Sequence, residues 1–510
     1  MERVYELAII GGGAAGLLAA SYASQMNLSP HSVVLIEKMP RPGRKLNITG
    51  KGSCNLTNAK MWDEFSPHVH PNSQFLKSAF YNFSSADLIK YFENLGVELI
   101  KERGDRVFPK SKRAMDITDA LVDSIKKSDV VDTFTRYSVC SVNKGNLNES
   151  GVVSVVNGLS DNEIVKPNCG VEVNNEKGKC EAEENSDKPN CLVKENDNEG
   201  DREIFILRNE EGESVIYAKK VLIATGGLSY PSTGSTGDGY TLAQSLGHTI
   251  VPCFPSLTAL KPKGYGADRE LFQFGKWLNG LQLKNISLAL KVNGKIVQEE
   301  FGDVDFTNGG LEGPLGFRVS RKGVQALISH QKVAVVIDFK PALSEEKLRI
   351  RVEKEIANSN VSAKNNVSAK NNVLVKSSLS TKNNGSIKCE GELKRVLKAL
   401  LPQQVILPLI RSDKNLSKLL LSGCRSEYIV KLLKNWELEI VDYVGYERSV
   451  VTAGGVSLNE ISPKTMESRI TKGLFFAGEV IDIDADTGGY NLQCAFSSAV
   501  LALLSALSNN

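Results

Sequence analysis

Two short apolar runs, the first of which ends in glycines, flank a longer Ala- and Leu-rich run at the start of the chain. Residues 5–10 form the first apolar run, residues 14–26 have a helical composition, and residues 32–37 form a second apolar run. A short, continuously apolar run is typical of a strand buried in a parallel sheet. The pattern therefore predicts a strand–turn–helix–strand unit of the size found in nucleotide-binding domains.

Other segments repeat one of these two patterns. Apolar residues recur at helical spacing in residues 84–95 and 116–127, which predicts two amphipathic helices. Residues 203–207 and 220–227 are apolar runs, and the second ends in two glycines, so we expect two more strands there.

The middle of the chain changes character. Several short β-like runs lie between residues 250 and 345 and predict a β-rich domain, whereas residues 346–356 and 391–436 favour helices. Two polar tracts, at residues 142–200 and 358–390, are rich in Asn, Ser, Lys and Glu and are predicted to be low-complexity expansions. We expect a discontinuous α/β domain at residues 1–250 and 437–510, a β-rich insert at residues 251–345 and a helical segment at residues 346–436.

Composition and charge narrow the function classes. Among 510 residues, 62 basic and 59 acidic side chains give a net charge of +3, which offers no electrostatic argument for nucleic acid or a membrane surface. No apolar run is long enough for a transmembrane helix, and no signal peptide is expected. The nine cysteines are scattered without a C-x-x-C pair, which favours reduced thiols, a cytoplasmic location and no metal site.

A glycine-rich turn follows the first predicted strand as Gly11-x-Gly13-x-x-Gly16. The first glycine permits a tight turn, the second lets the backbone approach a pyrophosphate, and the third allows close helix–strand packing. Glu37 ends the second strand, at the distance expected of an acid that binds a ribose hydroxyl. The set predicts a dinucleotide site, and a purely structural glycine turn is the alternative.

A basic, glycine-containing loop at residues 41–58 comes next. Such a loop can wrap a phosphate and present N–H groups to a flat ring, although a solvated basic loop has the same composition. Near the other end, residues 473–479 and 487–493 form a second glycine-rich region, for which an ordinary Gly-Gly turn is the alternative.

These segments together resemble the bacterial flavoprotein family called HI0933-like or BaiN-like, whose members are labelled NAD(P)/FAD-dependent oxidoreductases or the aminoacetone oxidase family. The resemblance covers most of residues 1–130 and 203–345 and nearly all of 440–505. It rests on motifs that follow one another along this chain in the same order as in the family. Among them are GRKLNITGKGSCNLTN, VFPKSKRAMDITDAL, ATGGLSYPSTGSTGDGYTLAQSLGH, TAGGVSLNEISPKTMES and GLFFAGEVIDIDADTGGYNLQCAFSSA.

The resemblance implies a Rossmann-type, two-dinucleotide-binding FAD domain, interrupted by an inserted β-barrel-like domain and a helical segment. It also implies that the two chain ends meet at one FAD, with the helix after Gly489 aimed at the flavin. The residues that it assigns to the cofactor are Gly11, Gly13, Ala14, Ala15, Gly16, Glu37, Lys38, Arg44, Lys45, Asn47, Thr49, Gly50, Ala224, Thr225, Gly226, Gly478, Glu479, Gly488, Gly489, Tyr490 and Asn491.

The chain departs from the family pattern in the insert. The family usually has His where Asn308 stands and Ser where Glu312 stands, so the resemblance supplies no catalytic acid or base. Residues 236–240 are also similar to a segment of the fumarate-reductase flavoproteins, but Asp238 would serve equally well as the N-cap of a helix at 240–246.

The histidines and cysteines do not indicate a metal site or a redox-active thiol pair. His68-x-His70 lacks a carboxylate or Cys companion at useful spacing, so we expect a surface position rather than a metal site. Cys54 and Cys494 lie inside flavin-proximal motifs, but a close redox pair is absent, which favours packing.

The sequence thus predicts an FAD-dependent oxidoreductase that transfers hydride between flavin N5 and NAD(P)H or an organic substrate. NAD(P)H would bind transiently, since the chain has no second strand-borne G-x-G-x-x-G. We expect a small-molecule substrate and neither a nucleic-acid nor a membrane partner. Two alternatives stay open: a flavin-dependent RNA-modifying enzyme and a non-enzymatic flavin-binding protein.

Overall fold

The computed structural model describes residues 3–147, 153–155, 202–209, 214–265, 277–368, 384–412 and 426–508. The helices are α1 (Ala14–Ala23), α2 (Arg44–Ile48), α3 (Trp62–Phe65), α4 (Ser73–Asn82), α5 (Ser85–Asn94), α6 (Ala114–Lys126), α7 (Asp238–Ser245), α8 (Gly313–Ile328), α9 (Glu345–Ser368), α10 (Asn384–Lys398), α11 (Gln403–Ser412), α12 (Ser426–Lys434) and α13 (Tyr490–Leu507).

The strands of the first half are β1 (Val4–Ile10), β2 (Val33–Glu37), β3 (Thr57–Asn58), β4 (Val69–His70), β5 (Leu99–Glu102), β6 (Arg106–Pro109), β7 (Val131–Thr135), β8 (Val139–Leu147), β9 (Val153–Val155), β10 (Arg202–Asn209) and β11 (Val215–Ile223). Those of the second half are β12 (Ile250–Ser256), β13 (Leu260–Pro262), β14 (Gln282–Val292), β15 (Lys295–Thr307), β16 (Gly310–Glu312), β17 (Val333–Asp338), β18 (Trp436–Tyr443), β19 (Val451–Val456), β20 (Leu474–Phe476) and β21 (Asp484–Ala485).

The main sheet has a parallel core, in the order β7-β2-β1-β11, with β20 also paired parallel to β11. On the far side of β11 the antiparallel strands β10, β8 and β9 extend it. Strand β2 is buried along its whole length, as its uninterrupted apolar sequence requires. Because β20 comes from residues near the end of the chain, the two chain ends join one sheet, and the predicted Rossmann-type fold is confirmed.

The insert forms a closed barrel in the order β13-β16-β15-β14-β17-β18. Its last strand, Trp436–Tyr443, lies in sequence after the helical segment, so residues 437–443 belong to the barrel sheet although the sequence placed them in the FAD domain. Strand β12 pairs with β19 outside the barrel. The barrel therefore closes only after the chain has passed through helices α9 to α12.

Most predicted helices appear near their expected places. The predicted helices at 84–95 and 116–127 correspond to α5, which begins with a capping box between Ser84 and Asp87, and to α6. Helix α9 continues through residue 368, well beyond the predicted 346–356 and into the tract predicted as a linker. Of the predicted excursion at 142–200, residues 142–147 and 153–155 are strands and the rest lies outside the described residues.

Two apolar cores carry the fold. One surrounds the main sheet with helices α1, α6 and α13, and the other fills the barrel and the helices beside it. Helix α13 is long and apolar enough to cross a membrane, yet 67% of its apolar window is buried inside the fold. Burial of that kind is typical of a core helix, which explains its composition without a bilayer.

Candidate active site

Two adjoining cavities lie at the carboxyl edge of the parallel strands. The larger has a volume of about 610 Å³ and extends from the main sheet to the barrel. The smaller, about 60 Å³, lies beside the end of β2. Gly13, Lys45, Thr225 and Ser235 line both cavities. This edge is where ligands bind in open α/β sheets, because the loops after the strands converge there.

The glycine turn holds the N-terminus of α1 against this space. A Cβ on Gly11 would come within 2.6 Å of the Ala224 carbonyl oxygen, and one on Gly16 within 1.9 Å of the Gly11 oxygen, whereas one on Gly13 would meet nothing within 4 Å. Gly13 is also the N-cap of α1 and has no side-chain oxygen for the first N–H groups. Those groups and the positive helix end can therefore bind an anion in the cavity.

Glu37 is held in place at the end of β2 by two backbone donors. Its Oε2 accepts a hydrogen bond of 2.7 Å from the Gly12 N–H, and its Oε1 accepts one of 2.7 Å from the Met39 N–H. Burial raises the pKa of Glu37, and both hydrogen bonds oppose that rise. Each carboxylate oxygen keeps a lone pair for a further donor in the smaller cavity, such as a ribose hydroxyl.

A second helix begins at the larger cavity. The N-cap of α13 is Gly489, whose φ of 95° is in the region that favours glycine. The Asn491 side chain accepts a hydrogen bond of 2.8 Å from the Ala485 N–H and donates one of 2.6 Å to the Ala485 carbonyl, which fixes the turn before the helix. The positive end of α13 consequently lies at the cavity, where it favours negative charge.

Two lysines at the cavities have acidic partners. The Lys45 Nζ lies 2.5 Å from the Glu479 Oε2, and the other Glu479 oxygen accepts a hydrogen bond of 2.9 Å from the Thr452 N–H. The Lys38 Nζ lies 2.5 Å from the Asp238 Oδ2. Asp238 is the first residue of α7, and Gly237 occupies the N-cap, so the alternative role of Asp238 as an N-cap is wrong.

Asp486 brings both histidines of the H-x-H pair to the cavity edge. The His68 Nδ1 lies 2.8 Å and the His70 Nε2 3.4 Å from its two carboxylate oxygens. Burial alone would raise the pKa of Asp486, but these hydrogen bonds outweigh it and lower that pKa to about 2. The sequence missed this carboxylate companion, yet the described part of the chain contains no cluster suited to a metal ion.

The barrel side of the larger cavity combines apolar and charged groups. Leu257, Phe317 and Val450 supply apolar surface. Beside them the Arg448 Nη1 donates a hydrogen bond of 2.8 Å to the Asn308 Oδ1, and its Nη2 lies 3.2 Å from the Glu312 Oε1. Residues of the barrel and of the segments beside it thus form part of the wall of the larger cavity.

A family model described as the HI0933-like protein Rossmann domain matches residues 5–165 and 177–504. The chain belongs to the HI0933-like family. As a member of that family, it is a flavin-dependent oxidoreductase whose cofactor is FAD. The alternative of a non-enzymatic flavin-binding protein is thereby set aside.

Relatives of this HI0933-like protein align along nearly all of it. A 3-dehydro-bile acid Δ4,6-reductase of Clostridium scindens is 27% identical, over 97% of this chain and 97% of that protein. A ribosomal RNA dihydrouridine synthase of Escherichia coli is also 27% identical, over 98% and 97%. Among solved structures, an E. coli quinol fumarate reductase aligns with 99% of this chain and 69% of its own, at 15% identity and a TM-score of 0.41.

The cavities of this HI0933-like protein fit FAD. The open space at Gly13 leaves room for a pyrophosphate where any side chain would intrude. The Asn55 Oδ1 and the Thr225 Oγ1 are buried on the wall of the larger cavity, and neither has a hydrogen-bond partner among the described residues. The free N–H groups at the N-terminus of α1 supply donors for the pyrophosphate beside Gly13.

Most residues predicted for the cofactor line one of the cavities. The smaller is lined by Gly11, Gly13, Glu37, Lys38, Arg44 and Lys45. The larger is lined, besides Gly13 and Lys45, by Ala14, Ala15, Thr49, Gly50, Ala224, Thr225, Gly226, Gly478, Glu479, Gly488, Gly489 and Asn491.

Three predicted residues do not line either cavity. Gly16 packs against the backbone of Gly11. The Asn47 side chain faces α6, where its Oδ1 accepts a hydrogen bond of 2.7 Å from Thr118. Tyr490 is buried, and its ring stacks on His68 at 4.3 Å between centroids. The side chains of Asn47 and Tyr490 thus contact neighbouring elements.

Proposed function

We propose that this protein reduces a carbon–carbon double bond conjugated with a carbonyl group, with electrons from NADH or NADPH. The observation that carries the proposal is the larger cavity, where three apolar residues beside the barrel, Leu257, Phe317 and Val450, share the lining with the residues predicted to hold the cofactor. Such a cavity suits a substrate with a largely apolar body and few polar groups.

The names of the two relatives support the same chemistry. A Δ4,6-reductase of a 3-dehydro-bile acid saturates bonds conjugated with a ketone, and formation of dihydrouridine saturates the uracil bond conjugated with a carbonyl. The substrates differ, but the bond that is reduced has the same electronic character. That shared bond type is what we carry over to this chain.

The chain's own residues bind and orient in this reaction. The N-terminus of α1 would hold the pyrophosphate and Glu37 the ribose, while the N-terminus of α13 would stabilise negative charge at the ring system. When bound, FAD supplies two-electron hydride chemistry. The apolar residues Leu257 and Phe317 would pack against the body of the substrate and orient it.

An anaerobic acceptor assay tests this function. The purified holoenzyme is mixed with NADH or NADPH and then with 2-cyclohexen-1-one, and the product is identified by mass spectrometry. We expect bleaching of the flavin absorbance by one of the donors, followed by its return and the formation of cyclohexanone. Bleaching without consumption of any conjugated acceptor in a panel of enones would remove the proposal.

An RNA substrate is the second candidate, favoured by the name of the E. coli relative. The small net charge of +3 gives it no electrostatic support. An unmodified ribosomal RNA transcript incubated with the holoenzyme and NADPH, digested to nucleosides and analysed by mass spectrometry, distinguishes the two. Dihydrouridine formed in RNA, together with inert small enones, would favour the RNA substrate.

A further inference from the structure

A cluster of three residues from separate segments lies at the barrel side of the larger cavity, which Glu312 and Arg448 line. Asn308 lies in the turn between β15 and β16, Glu312 ends β16, and Arg448 lies between β18 and β19. The side chain of Arg448 is 44% exposed and that of Glu312 is 18% exposed.

The two partners fix the guanidinium of Arg448. The contacts of 2.8 Å to Asn308 and 3.2 Å to Glu312 engage Nη1 and Nη2, and a guanidinium has five N–H donors in one plane. A group held on two sides loses less freedom when it binds a third acceptor. Leu257 and Phe317 lie on the same wall, so the apolar body of a substrate can pack beside the guanidinium.

The charges of the cluster select the kind of acceptor. Glu312 balances Arg448, so the pair has no net charge and a carboxylate or phosphate would be repelled by Glu312. A neutral carbonyl oxygen meets the guanidinium without that repulsion. Lys45 is paired with Glu479 on the cofactor side and does not contribute to this cluster.

We infer that Arg448, held by Asn308 and Glu312, binds the carbonyl oxygen of the substrate. The inference rests on the proposed reduction of a carbonyl-conjugated double bond. Addition of a hydride to the carbon β to the carbonyl shifts the π electrons of the double bond towards the carbonyl, so that its oxygen gains negative charge. A proton from water is then transferred to the α carbon, and the carbonyl group is restored. Arg448 stabilises the negative charge that the oxygen gains, and Glu312 keeps the resting site selective for neutral carbonyl compounds.

Binding of p-nitrophenolate, whose charged oxygen imitates that of the enolate, tests the inference without turnover. Calorimetric titration of the holoenzyme is done at a pH at which the phenol is ionised. Arg448→Met should weaken binding by about tenfold or more, because a charge-assisted hydrogen bond is lost. Glu312→Gln keeps an acceptor for Arg448 but removes the negative charge, so it should strengthen binding several-fold. Arg113→Met, at an exposed arginine of the α6 N-cap, is the matched control.

The opposite directions of the two variants separate a role in binding from a structural one. Equal affinity in the wild type and Arg448→Met, or no binding of p-nitrophenolate even to Glu312→Gln, overturns the inference. The proposed function is judged separately by reduction of 2-cyclohexen-1-one. A wild type that reduces no enone, yet binds p-nitrophenolate through Arg448, would remove the proposed function and leave the oxyanion site.

Discussion

At the scale of single residues, the three glycines of the first turn have different roles. Gly11 and Gly16 are required by the close approach of backbone atoms, so larger residues there would disturb the fold itself. Gly13 has extended backbone angles of φ −79° and ψ −163°, which any residue can adopt. A side chain at position 13 would therefore reduce the space in the cavity without straining the backbone. Cofactor binding and folding can therefore be separated at this position.

Gly13→Val should fold normally and bind FAD at least about tenfold more weakly, because the added side chain fills the space predicted for the pyrophosphate. The ratio of flavin to protein absorbance and the melting temperature measure the two effects. Gly391→Val is the matched control, since a Cβ on Gly391 also meets nothing within 4 Å but the residue lies on the exposed face of α10. Full FAD retention in Gly13→Val would contradict the binding mode.

Asp482 predicts a pH dependence of stability. Burial, and then the charge of Asp484, raises the pKa of Asp482 from 3.8 to about 6. The folded state therefore binds more protons than the unfolded state between these values, and stability is lost as the pH rises from about 4 to about 6. Asp482→Asn should raise the midpoint of urea unfolding at pH 8, and the gain should vanish below about pH 4. A gain that is the same at both pH values would refute this cause.

Sequence spacing determines the relative position of residues only within one local unit. Gly13 and Glu37 belong to one local unit, in which spacing determines position, so both could be predicted. Asp486 and His68 are 418 residues apart, and their contact depends on the pairing of β21 with β4. Nothing in the spacing of either residue indicates that pairing.

At the scale of elements, α13 combines the cofactor wall with a buried polar network. The Gln493 side chain is fully buried, accepts a hydrogen bond of 2.6 Å from the Thr57 Oγ1 and donates one of 3.0 Å to the Phe83 carbonyl. The network ties the helix to β3 and to the end of α4. The position of the Gly488–Gly489 turn consequently depends on a residue one turn further along the helix.

Gln493→Ala should lower the free energy of unfolding by about 2 kcal/mol or more, because the buried partners lose their hydrogen bonds. Denaturant unfolding followed by circular dichroism measures the change. Gln404→Ala, at an exposed position of α11, should change it much less. Equal effects of the two substitutions would show that the network contributes nothing specific.

Elements defined by local pattern were predictable, whereas the closure of the barrel was not. Helices α5 and α6 follow from apolar spacing in their own sequences. Strand β18 alternates buried and exposed residues like any strand of a half-buried sheet, so its pattern does not tell whether it joins the barrel or the main sheet. Its pairing with β13 and β17 decides that, and such partners are distant in sequence.

At the scale of the whole molecule, the two cores are linked by a buried ion pair. The Arg321 Nε, from barrel helix α8, lies 3.0 Å from both oxygens of Asp484, which also accepts a hydrogen bond of 2.8 Å from Ser256. Asp484 is 1% exposed, and burial raises its pKa although Arg321 and Ser256 oppose that rise. Asp484 lies close to Asp486 in the chain, so the barrel is fixed directly beside the cavity.

Arg321→Met should destabilise the protein by about 3–5 kcal/mol, because it leaves a buried carboxylate without its partner. Addition of Asp484→Asn should restore much of the loss, since no buried charge then remains. Thermal unfolding of the single and double variants measures both effects. Lys263→Met, at an exposed ion pair, is the control and should cost little. A double variant no more stable than Arg321→Met would contradict this account.

The central claim is that the two ends of the chain form one FAD site. Heat release of the chromophore from the purified protein, with identification by mass spectrometry and quantification against protein, tests it most directly. The account predicts FAD, close to one molecule per chain, because Glu37 at the smaller cavity is placed to bind the ribose of the adenosine half. A folded protein that binds no flavin after incubation with FAD, or that retains FMN in its place, would contradict the account.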